Sequence, residues 1–168
     1  MISLRAVEPE DLTLLYLWEN DRSVWKVSNT FAPFSKFRLQ RYIEESGDIR
    51  EHGQLRMMID SHNDGHTKTV GAVDLFDFDP VHQRAGIGIL IASGEDRGQG
   101  FASEAIRLMI NYSKNILFLH QIYCNIAASN IVSVKLFGKA GFKLTGNKRN
   151  WLKTAAGWED ELLLQLIL

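Results

Sequence analysis

The segment Glu95–Glu104 contains two glycines, Gly98 and Gly100, at the junction between an apolar strand and a long helix. Glycine lets the backbone turn tightly, so that successive N–H groups can face one point. The helix that follows adds unpaired N–H donors and the positive end of its dipole. Together with the Arg97 guanidinium, these groups are typical of a diphosphate site. The same glycines would also fit a plain strand-to-helix turn.

Two familiar nucleotide-binding loops do not match this segment. No Lys-Ser or Lys-Thr pair follows Gly100, which excludes a Walker A loop. No third glycine stands at the dinucleotide position and no β-α-β unit precedes the segment, so a Rossmann fingerprint is a poor match. The sequence therefore leaves a phosphate-binding turn of another kind, or a turn without a ligand.

Other reactive side chains in the sequence predict little chemistry. Cys124 is the one cysteine, lies on a predicted strand and reads as a buried structural residue. His62 and His66 have the spacing of metal ligands, but they flank an Asn-Asp-Gly turn with no further ligand nearby. We therefore expect no metal site.

Hydrophobic periodicity predicts the element order β-α-α-β-β-β-α-β-α-β-β. Residues 21–34 are expected to be irregular. The order favours an α/β class, with a mixed sheet and helices on both faces. The predicted elements are strand Ile2–Arg5, helices Glu8–Asn20 and Ser35–Ile49, strands Gln54–Asp60, Thr69–Phe78 and Arg84–Ala92, helix Gly98–Asn115, strand His120–Ile126, helix Ser129–Ala140, and strands Gly141–Leu152 and Trp158–Leu168.

Composition predicts one globular domain spanning residues 1–168, with 45% apolar and 23% charged residues. The net charge of -1, from 19 basic and 20 acidic residues, gives no positive electrostatic field that would attract nucleic acid. The longest apolar runs fall short of the roughly 20 residues that a membrane span needs. Met1–Leu12 contains charged residues where a signal peptide would have an apolar core. We therefore expect a cytoplasmic protein without a membrane or nucleic-acid partner.

Two motifs together resemble the GNAT superfamily of acetyl-CoA-dependent N-acetyltransferases. Arg97, Gly100 and Ala102 match its Arg/Gln-x-x-Gly-x-Gly/Ala loop, and Asn130–Phe142 is similar to its Asn-containing helix ending in Lys-x-Gly-Phe. The resemblance covers nearly the whole chain and is nearest to the spermidine and ribosomal-protein N-terminal acetyltransferase branch. It implies the GNAT fold, with a mostly antiparallel sheet splayed at the cofactor site.

The resemblance implies that acetyl-CoA binds as a co-substrate and that no metal takes part. In the family, the strand before the loop pairs with the pantetheine arm and the loop wraps the pyrophosphate. Asn130 would serve equally well as an ordinary helix cap. The residues assigned to the coenzyme are Leu90, Ile91, Ala92, Arg97, Gly98, Gln99, Gly100, Phe101, Ala102, Asn130, Phe137 and Lys139.

The family chemistry is direct attack of a neutral amine on the thioester, with a backbone donor such as the Ile91 N–H for the oxyanion. The family usually places a tyrosine, as general acid, where this chain has Phe137. A positioned acid contributes about 10²–10⁴-fold. The resemblance thus implies a slow enzyme, one that relies on water, or a coenzyme-binding protein without turnover.

Asp74 and Asp77 match acidic positions of the polyamine enzymes and are the candidate bases. A spacing of three places them on opposite faces of a regular strand, so both face one cleft only if the strand bulges. Either would also fit as a solvated acid on the outer face. Gly86 stands where relatives often carry Glu, which removes a further acid.

Trp25, Phe31 and Phe34 lie in the segment that shapes the acceptor pocket in this superfamily, and they are assigned to substrate contact. The implied acceptor is a primary amine: a polyamine, a protein N-terminus or another small amine. The apolar last strand leaves a homo-oligomer open. The alternatives are a non-catalytic coenzyme A-binding or sensory protein and an unrelated nucleotide-binding module.

Overall fold

A computed structural model describes residues 1–28, 30–63 and 65–168 of the chain. Asp64, in the predicted turn between His62 and His66, lies outside the described residues. The strands are β1 (Ile2–Ala6), β2 (Leu55–Asn63), β3 (His66–Asp79), β4 (Arg84–Ile91), β5 (Gln121–Ala127), β6 (Lys143–Thr154) and β7 (Gly157–Ile167). The helices are α1 (Leu12–Glu19), α2 (Arg22–Ser28), α3 (Lys36–Glu45), α4 (Ile49–His52), α5 (Phe101–Asn115) and α6 (Ile131–Lys139), with 3-10 turns at Pro9–Asp11 and Gly94–Asp96.

The strands form one seven-stranded sheet in the order β1-β2-β3-β4-β5-β7-β6. Neighbouring strands are antiparallel except β4 and β5, which run parallel. This arrangement confirms the mixed, mostly antiparallel sheet. In the described part of the chain, no helix has the length and apolar character needed to cross a bilayer.

Strands β4 and β5 separate after a short stretch of pairing. Arg84–Gly86 pair with Gln121–Tyr123, whereas β4 remains paired with β3 as far as Ile91. Among the described residues, the backbone of 87–91 therefore has no strand partner on its β5 side. The sheet opens there into a gap that we call the cleft, and this is the splay that the resemblance implies.

Helices cover both faces of the sheet, as expected. Adjacent residues of a strand point to opposite faces. Ile59 and Val73 accordingly lie in a core that contains residues of α5 and α6, whereas Met58 and Ala72 lie in a second core with residues of α1 and α3. The two cores pack against opposite faces of the same strands, so the sheet lies between two layers of helices.

The expectation of an irregular segment at 21–34 was wrong for Arg22–Ser28, which form α2, whereas residues 30–34 have no regular structure. The carboxylate of Asp21 accepts a hydrogen bond from the Ser23 N–H at 2.8 Å and caps the helix. A helix of seven residues is too short for its hydrophobic period to stand out.

The predicted helix boundaries also shift where glycine or a cap intervenes. Helix α5 begins at Phe101 instead of Gly98, because Gly98 and Gly100 have φ values of +77° and +87°. The helix expected to run to Ile49 ends at Glu45, and Asp48 starts the separate helix α4 by accepting from the Arg50 N–H.

An ion-pair cluster fastens β1 to the first helical turn and to β2. The Arg5 guanidinium donates to Asp11 at 2.7 and 2.9 Å and to Asp60 at 2.7 Å. Burial alone would raise the pKa of Asp11, but hydrogen bonds from Arg5 and the Glu8 N–H outweigh it and lower that pKa below 3.8. A carboxyl with a depressed folded pKa stabilises the fold above its unfolded pKa and loses this contribution as pH falls through the folded pKa.

We expect Asp11→Asn to lower the free energy of unfolding at pH 7 by about 1.5–3 kcal/mol, the contribution of hydrogen bonds to a charged group. The difference from the wild type should shrink as the pH falls below 3.8, because the wild-type carboxyl then takes up a proton. Urea denaturation at pH 7 and at the lowest pH where both proteins fold measures this difference. An equal loss of unfolding free energy at both pH values would contradict the role given to the Asp11 charge.

Candidate active site

Unpaired backbone N–H groups cluster in the loop between β4 and α5. The first hydrogen bond at the start of α5 runs from the Glu104 N–H to the Gly100 carbonyl at 3.1 Å. In the described part of the chain, the N–H groups of residues 98–103 have no protein acceptor, and we call them the amide cradle. A Cβ added at Gly98 or Gly100 would meet no atom within 4 Å. The cradle thus presents N–H dipoles to open space and fits an anion.

Two contacts hold the loop ahead of the amide cradle. The buried Asp96 accepts hydrogen bonds from Lys68 Nζ on both carboxylate oxygens at 2.8 Å. The Arg97 side chain turns back and donates to the carbonyls of Ile91 and Ala92 at 3.1 and 3.3 Å. The Arg97 guanidinium, which the resemblance assigns to the diphosphate, thus binds backbone carbonyls at the end of β4 in this structure.

The open edge of β4 faces the cleft. The Ala92 N–H donates to the Val70 carbonyl at 3.0 Å, on the β3 side. Because backbone groups alternate in direction along a strand, the N–H groups of Ile89 and Ile91 point the other way, into the cleft. These are donors that an extended ligand or an oxyanion can use.

A cavity of about 820 Å³ reaches the cleft at Leu90 of β4 and Asn125 of β5, and we call it the large cavity. Of the residues assigned from the sequence, Phe34, Asp74 and Leu90 line it. Its other walls mix apolar, aromatic, polar and charged side chains. Its charged lining residues are Glu19, Arg38, Arg56, Asp74 and Glu161, and its aromatic ones are Phe34, Tyr42, Phe76 and Trp151.

Arg56 joins Glu19 and Asp74 in an ion-pair triad inside the large cavity. Its Nε and Nη2 donate to the two carboxylate oxygens of Asp74 at 2.6 and 3.0 Å, and its Nη1 donates to Glu19. Burial would lower the pKa of Arg56, but the charges of Asp74 and Glu19 outweigh it and raise that pKa well above its ordinary value. Arg56 therefore stays charged, and its guanidinium donates to both carboxylate oxygens of Asp74.

Asp77 lies in the bulge that the spacing argument requires. The register of β3 against β4 shifts between Phe76 and Asp79, and Asp77 has a φ of +49°. Its side chain is exposed and does not line the large cavity. Asp77 lies close enough to Tyr123 for its charge to raise the pKa of Tyr123, although burial is the larger cause of that rise. The structure therefore brings Asp74, but not Asp77, to the large cavity.

Trp25 and Phe31 do not line the large cavity, unlike Phe34. Trp25 Nε1 donates to the Glu19 carbonyl at 2.6 Å, and Phe31 is 89% exposed. Asn20 holds Phe34 in place, since its side chain accepts from the Phe34 N–H at 2.9 Å and donates to the Phe34 carbonyl at 3.0 Å. Asn20 was missed in the sequence, where it looked like a helix end.

Helix α6 carries the remaining assigned residues. Asn130 caps it by accepting from the Ser133 N–H at 3.2 Å. Phe137 is 3% exposed and packs edge-on against Phe142 with ring centroids 5.1 Å apart. Lys139 is exposed in the last turn. The Phe137 ring is thus part of the core and offers no hydroxyl.

The remaining reactive side chains do not form a further site. Cys124 is 2% exposed, and burial raises its pKa to about 12, so it is a thiol at neutral pH. The His62 ring nitrogens lie 2.8 Å from Ser3 Oγ and 3.0 Å from Thr67 Oγ1. Among residues 1–28, 30–63 and 65–168, no three His, Cys, Asp or Glu side chains group as metal ligands.

A bulge in β6 brings Trp151 to the rim of the large cavity. The register against β7 shifts between Lys148 and Leu152, and Asn150 has a φ of +49°. Asp160 holds the bulge by accepting from the Asn150 N–H at 2.9 Å. Asparagine tolerates positive φ, which was the only local signal for this feature in the sequence.

Comparison with known proteins supports a family assignment. Residues 2–143 match the family model described as "Acetyltransferase (GNAT) domain". The spermidine N(1)-acetyltransferase of Vibrio cholerae serotype O1 is 30% identical over 148 residues, which cover 87% of this chain and 81% of that protein.

Solved structures agree with this match. The crystal structure of spermidine N-acetyltransferase from Vibrio cholerae in complex with CoA and spermine has a TM-score of 0.88 at 25% identity, covering 99% of this chain and 95% of that one. A dodecameric structure of the Vibrio cholerae enzyme has a TM-score of 0.82 at 25% identity, covering 99% and 93%. Since the family model spans most of the sequence and these folds superpose over nearly all of it, the chain belongs to the GNAT family of acetyltransferases.

Proposed function

We propose that the chain transfers an acetyl group from acetyl-CoA to a primary amine. The observation that carries this proposal is the amide cradle at the end of β4, beside a cleft that leads to the large cavity. A diphosphate on the amide cradle and an acylated arm along the edge of β4 would place a thioester next to that cavity. Membership of the family and the CoA complex of a related enzyme support the same donor.

The residues present fit the coenzyme. The N–H groups of residues 98–103 suit the diphosphate, because they have no acceptor in the described part of the chain and the space beside Gly98 and Gly100 is open. The N–H groups of Ile89 and Ile91 suit the pantetheine arm and the thioester carbonyl. Arg97 supports this edge by donating to the Ile91 carbonyl of β4, and the Asn130 Oδ1 caps the start of α6.

The reaction is direct attack. The lone pair of the neutral amine forms a bond to the acetyl carbon, the carbon–sulfur bond breaks, and its electron pair leaves with the thiolate of CoA. The ammonium loses one proton before attack, the nitrogen loses a second on forming the amide, and one proton returns to the thiolate. The Ile91 N–H is the proposed donor to the oxyanion.

Among the described side chains of the large cavity, the carboxylates are engaged in ion pairs, and the Tyr42 hydroxyl is a weak acid whose pKa burial raises further. Asp74 is bound by Arg56 on both oxygens, Asp77 is exposed, and Phe137 has no hydroxyl. We therefore propose that water removes the amine proton and protonates the thiolate. A thiol of pKa roughly 8.5 makes this leaving group acceptable without a positioned acid.

A thiol-release assay with acetyl-CoA and a panel of primary amines tests the proposal, with the N-acetylated product identified by mass. Product formation above the rate of acetyl-CoA hydrolysis supports the transferase. The buried Phe137 favours a second candidate, a coenzyme-binding protein without turnover. Acetyl-CoA binding with no amine acetylated would establish that candidate, and no binding at millimolar acetyl-CoA would overturn both.

We expect Cys124→Ala to keep its kcat within about twofold of the wild type. The thiol is buried and protonated, so it cannot serve as an acetyl carrier at neutral pH. Initial rates of the variant, together with intact-protein mass after incubation with acetyl-CoA alone, check this expectation. An acetylated wild-type protein and an inactive variant would replace direct attack with a covalent intermediate.

Self-association is part of the proposal. A related enzyme is described as dodecameric. Strand β6 is an edge of the sheet, and Leu144 and Trp158 on the β6–β7 hairpin are exposed. An exposed strand edge with apolar side chains is suited to contact with a second copy of the chain.

A further inference from the structure

The Arg97 side chain lies along the end of β4. Its Nε donates to the Ile91 carbonyl at 3.1 Å, and its Nη2 donates to the Ala92 carbonyl at 3.3 Å. Both acceptors are neutral, and among the described residues no carboxylate forms an ion pair with Arg97. The pKa of Asp21 is lowered first by hydrogen bonds from Ser23 and, less strongly, by the Arg97 charge, so this carboxylate senses Arg97 without pairing with it.

The Ile91 carbonyl belongs to the open edge of β4. Neighbouring residues of a strand direct their backbone groups to opposite sides, and the N–H and C=O of one residue point the same way. Because the Ala92 N–H donates to the Val70 carbonyl of β3 at 3.0 Å, both backbone groups of Ile91 face the cleft. An extended ligand that adds to this edge pairs with its acceptors as well as its donors. Arg97 therefore occupies a carbonyl that such a ligand would use.

The backbone of Arg97 is held beside the amide cradle. The Arg97 N–H donates to the Gly94 carbonyl at 3.3 Å, and Lys68 Nζ binds both oxygens of the buried Asp96 at 2.8 Å. The next residue, Gly98, is the first of the amide cradle. Arg97 is exposed, so its guanidinium can rotate without a change in the loop. One side chain thus stands between the edge that suits the pantetheine arm and the amides that suit the diphosphate.

A diphosphate competes for the Arg97 guanidinium better than a carbonyl does. A guanidinium and a phosphate are both ionised and can form two parallel hydrogen bonds, whereas a carbonyl brings no charge. If Arg97 turns to a diphosphate, an amide N–H of the arm can replace it on the Ile91 carbonyl, and no acceptor loses its partner. Pantetheine without the diphosphate must instead displace a charged donor with a neutral one, which leaves the guanidinium to water.

We propose that Arg97 makes the open edge of β4 selective for acyl carriers that bring a diphosphate. Its guanidinium occupies the Ile91 carbonyl and exchanges onto the diphosphate, so that the edge binds well only an arm whose other end fills the amide cradle. A carrier whose pantetheine lacks the diphosphate is the class that this exchange disfavours. The inference rests on the proposed acetyl transfer from acetyl-CoA and concerns the donor side of that site.

Arg97→Met tests the exchange, because it removes every donor of the side chain at an exposed position. The ratio of CoA affinity to pantetheine affinity should fall by about 10- to 100-fold, which corresponds to one hydrogen bond to a charged group. Pantetheine itself should bind about tenfold more tightly, because its competitor for the Ile91 carbonyl is gone. NMR titrations (¹⁵N–¹H) of both proteins with CoA and with pantetheine measure these affinities from the Ile89 and Ile91 amide resonances.

The gain in pantetheine affinity is the effect that other roles of Arg97 do not produce. A side chain that only supports the loop would weaken both ligands when removed. A side chain that only binds the diphosphate would weaken CoA and leave pantetheine unchanged.

Arg107→Met is the control matched for residue type and charge. Arg107 lies on α5 after the amide cradle, is exposed and donates to Glu104 at 2.6 and 3.0 Å. Pantetheine carries no charge, so its affinity for this variant should equal that for the wild type. The ratio of the two affinities should stay close to the wild-type ratio, since an exposed charge is screened by salt.

The outcomes separate this inference from the proposed function. Pantetheine that binds Arg97→Met no more tightly than the wild type would overturn the inference and leave the transferase intact. A wild-type protein that binds pantetheine as tightly as CoA would do the same. A wild-type protein that does not bind CoA at millimolar concentration would overturn the proposed function and the inference together.

Discussion

Gly100→Ala should weaken CoA binding by about 10- to 100-fold, which corresponds to one lost hydrogen bond to a charged group at about 1.5–3 kcal/mol. Gly100 has a φ of +87°, and alanine disfavours that region. Relaxation of the backbone would turn N–H groups of the amide cradle away from the diphosphate. The new methyl group would also stand in the open space in front of it. Isothermal titration with CoA measures the change.

Gly53→Ala is a control matched for backbone conformation. Gly53 has a φ of +70°, ends α4 and, like Gly100, has no atom within 4 Å of the position of an added Cβ. It should lose a similar amount of stability, about 1–2 kcal/mol, and retain CoA affinity. Equal affinities for Gly100→Ala and Gly53→Ala would show that the diphosphate does not depend on the amide cradle.

Arg56→Met should lower the free energy of unfolding by about 3–5 kcal/mol, because it leaves two carboxylates without their partner. The Arg56 side chain is 20% exposed and binds Glu19 and Asp74 together. For a chain of this size such a loss lowers Tm by roughly 6–20 °C. Thermal unfolding followed by circular dichroism provides the measurement.

Two further variants isolate the charge effect. Arg41→Met removes an arginine whose pair with Glu45 is solvent-exposed, and it should change stability by less than about 1 kcal/mol. Neutralising the whole triad with Glu19→Gln, Arg56→Met and Asp74→Asn should restore much of the stability lost in Arg56→Met. A triple variant that is less stable than Arg56→Met would contradict the account of the triad.

The glycine turn between β4 and α5 could be predicted from the sequence because its physics is local. Two glycines with one residue between them, followed by an amphipathic helix, predict where backbone N–H groups stay unpaired. Helix α5 begins at Phe101, directly after Gly100, in agreement with this prediction. The sheet was predictable for a similar reason, since apolar alternation reports the face of each strand. The β4–β5 splay followed from the family resemblance rather than from the pattern.

The lining of the large cavity could not be predicted because long-range pairing determines it. Asp74 looked like a base from its position on the strand, but its environment depends on Arg56, which is 18 positions away in the sequence, and on Glu19, which is 37 positions from Arg56. The position of the Phe76 ring against Gly86 depends on the pairing of these two residues across β3 and β4. Neither contact leaves a signal in the local sequence.

The central claim is that the amides of residues 98–103 hold the diphosphate of CoA. An ¹⁵N–¹H NMR titration of the wild-type protein observes these amides directly, with pantetheine, which lacks the diphosphate, as the comparison ligand. The account predicts that CoA shifts the resonances of Gly98, Gly100 and their neighbours more than any others, and that pantetheine leaves them nearly unchanged. Saturable CoA binding that leaves the resonances of residues 98–103 unshifted would contradict the claim.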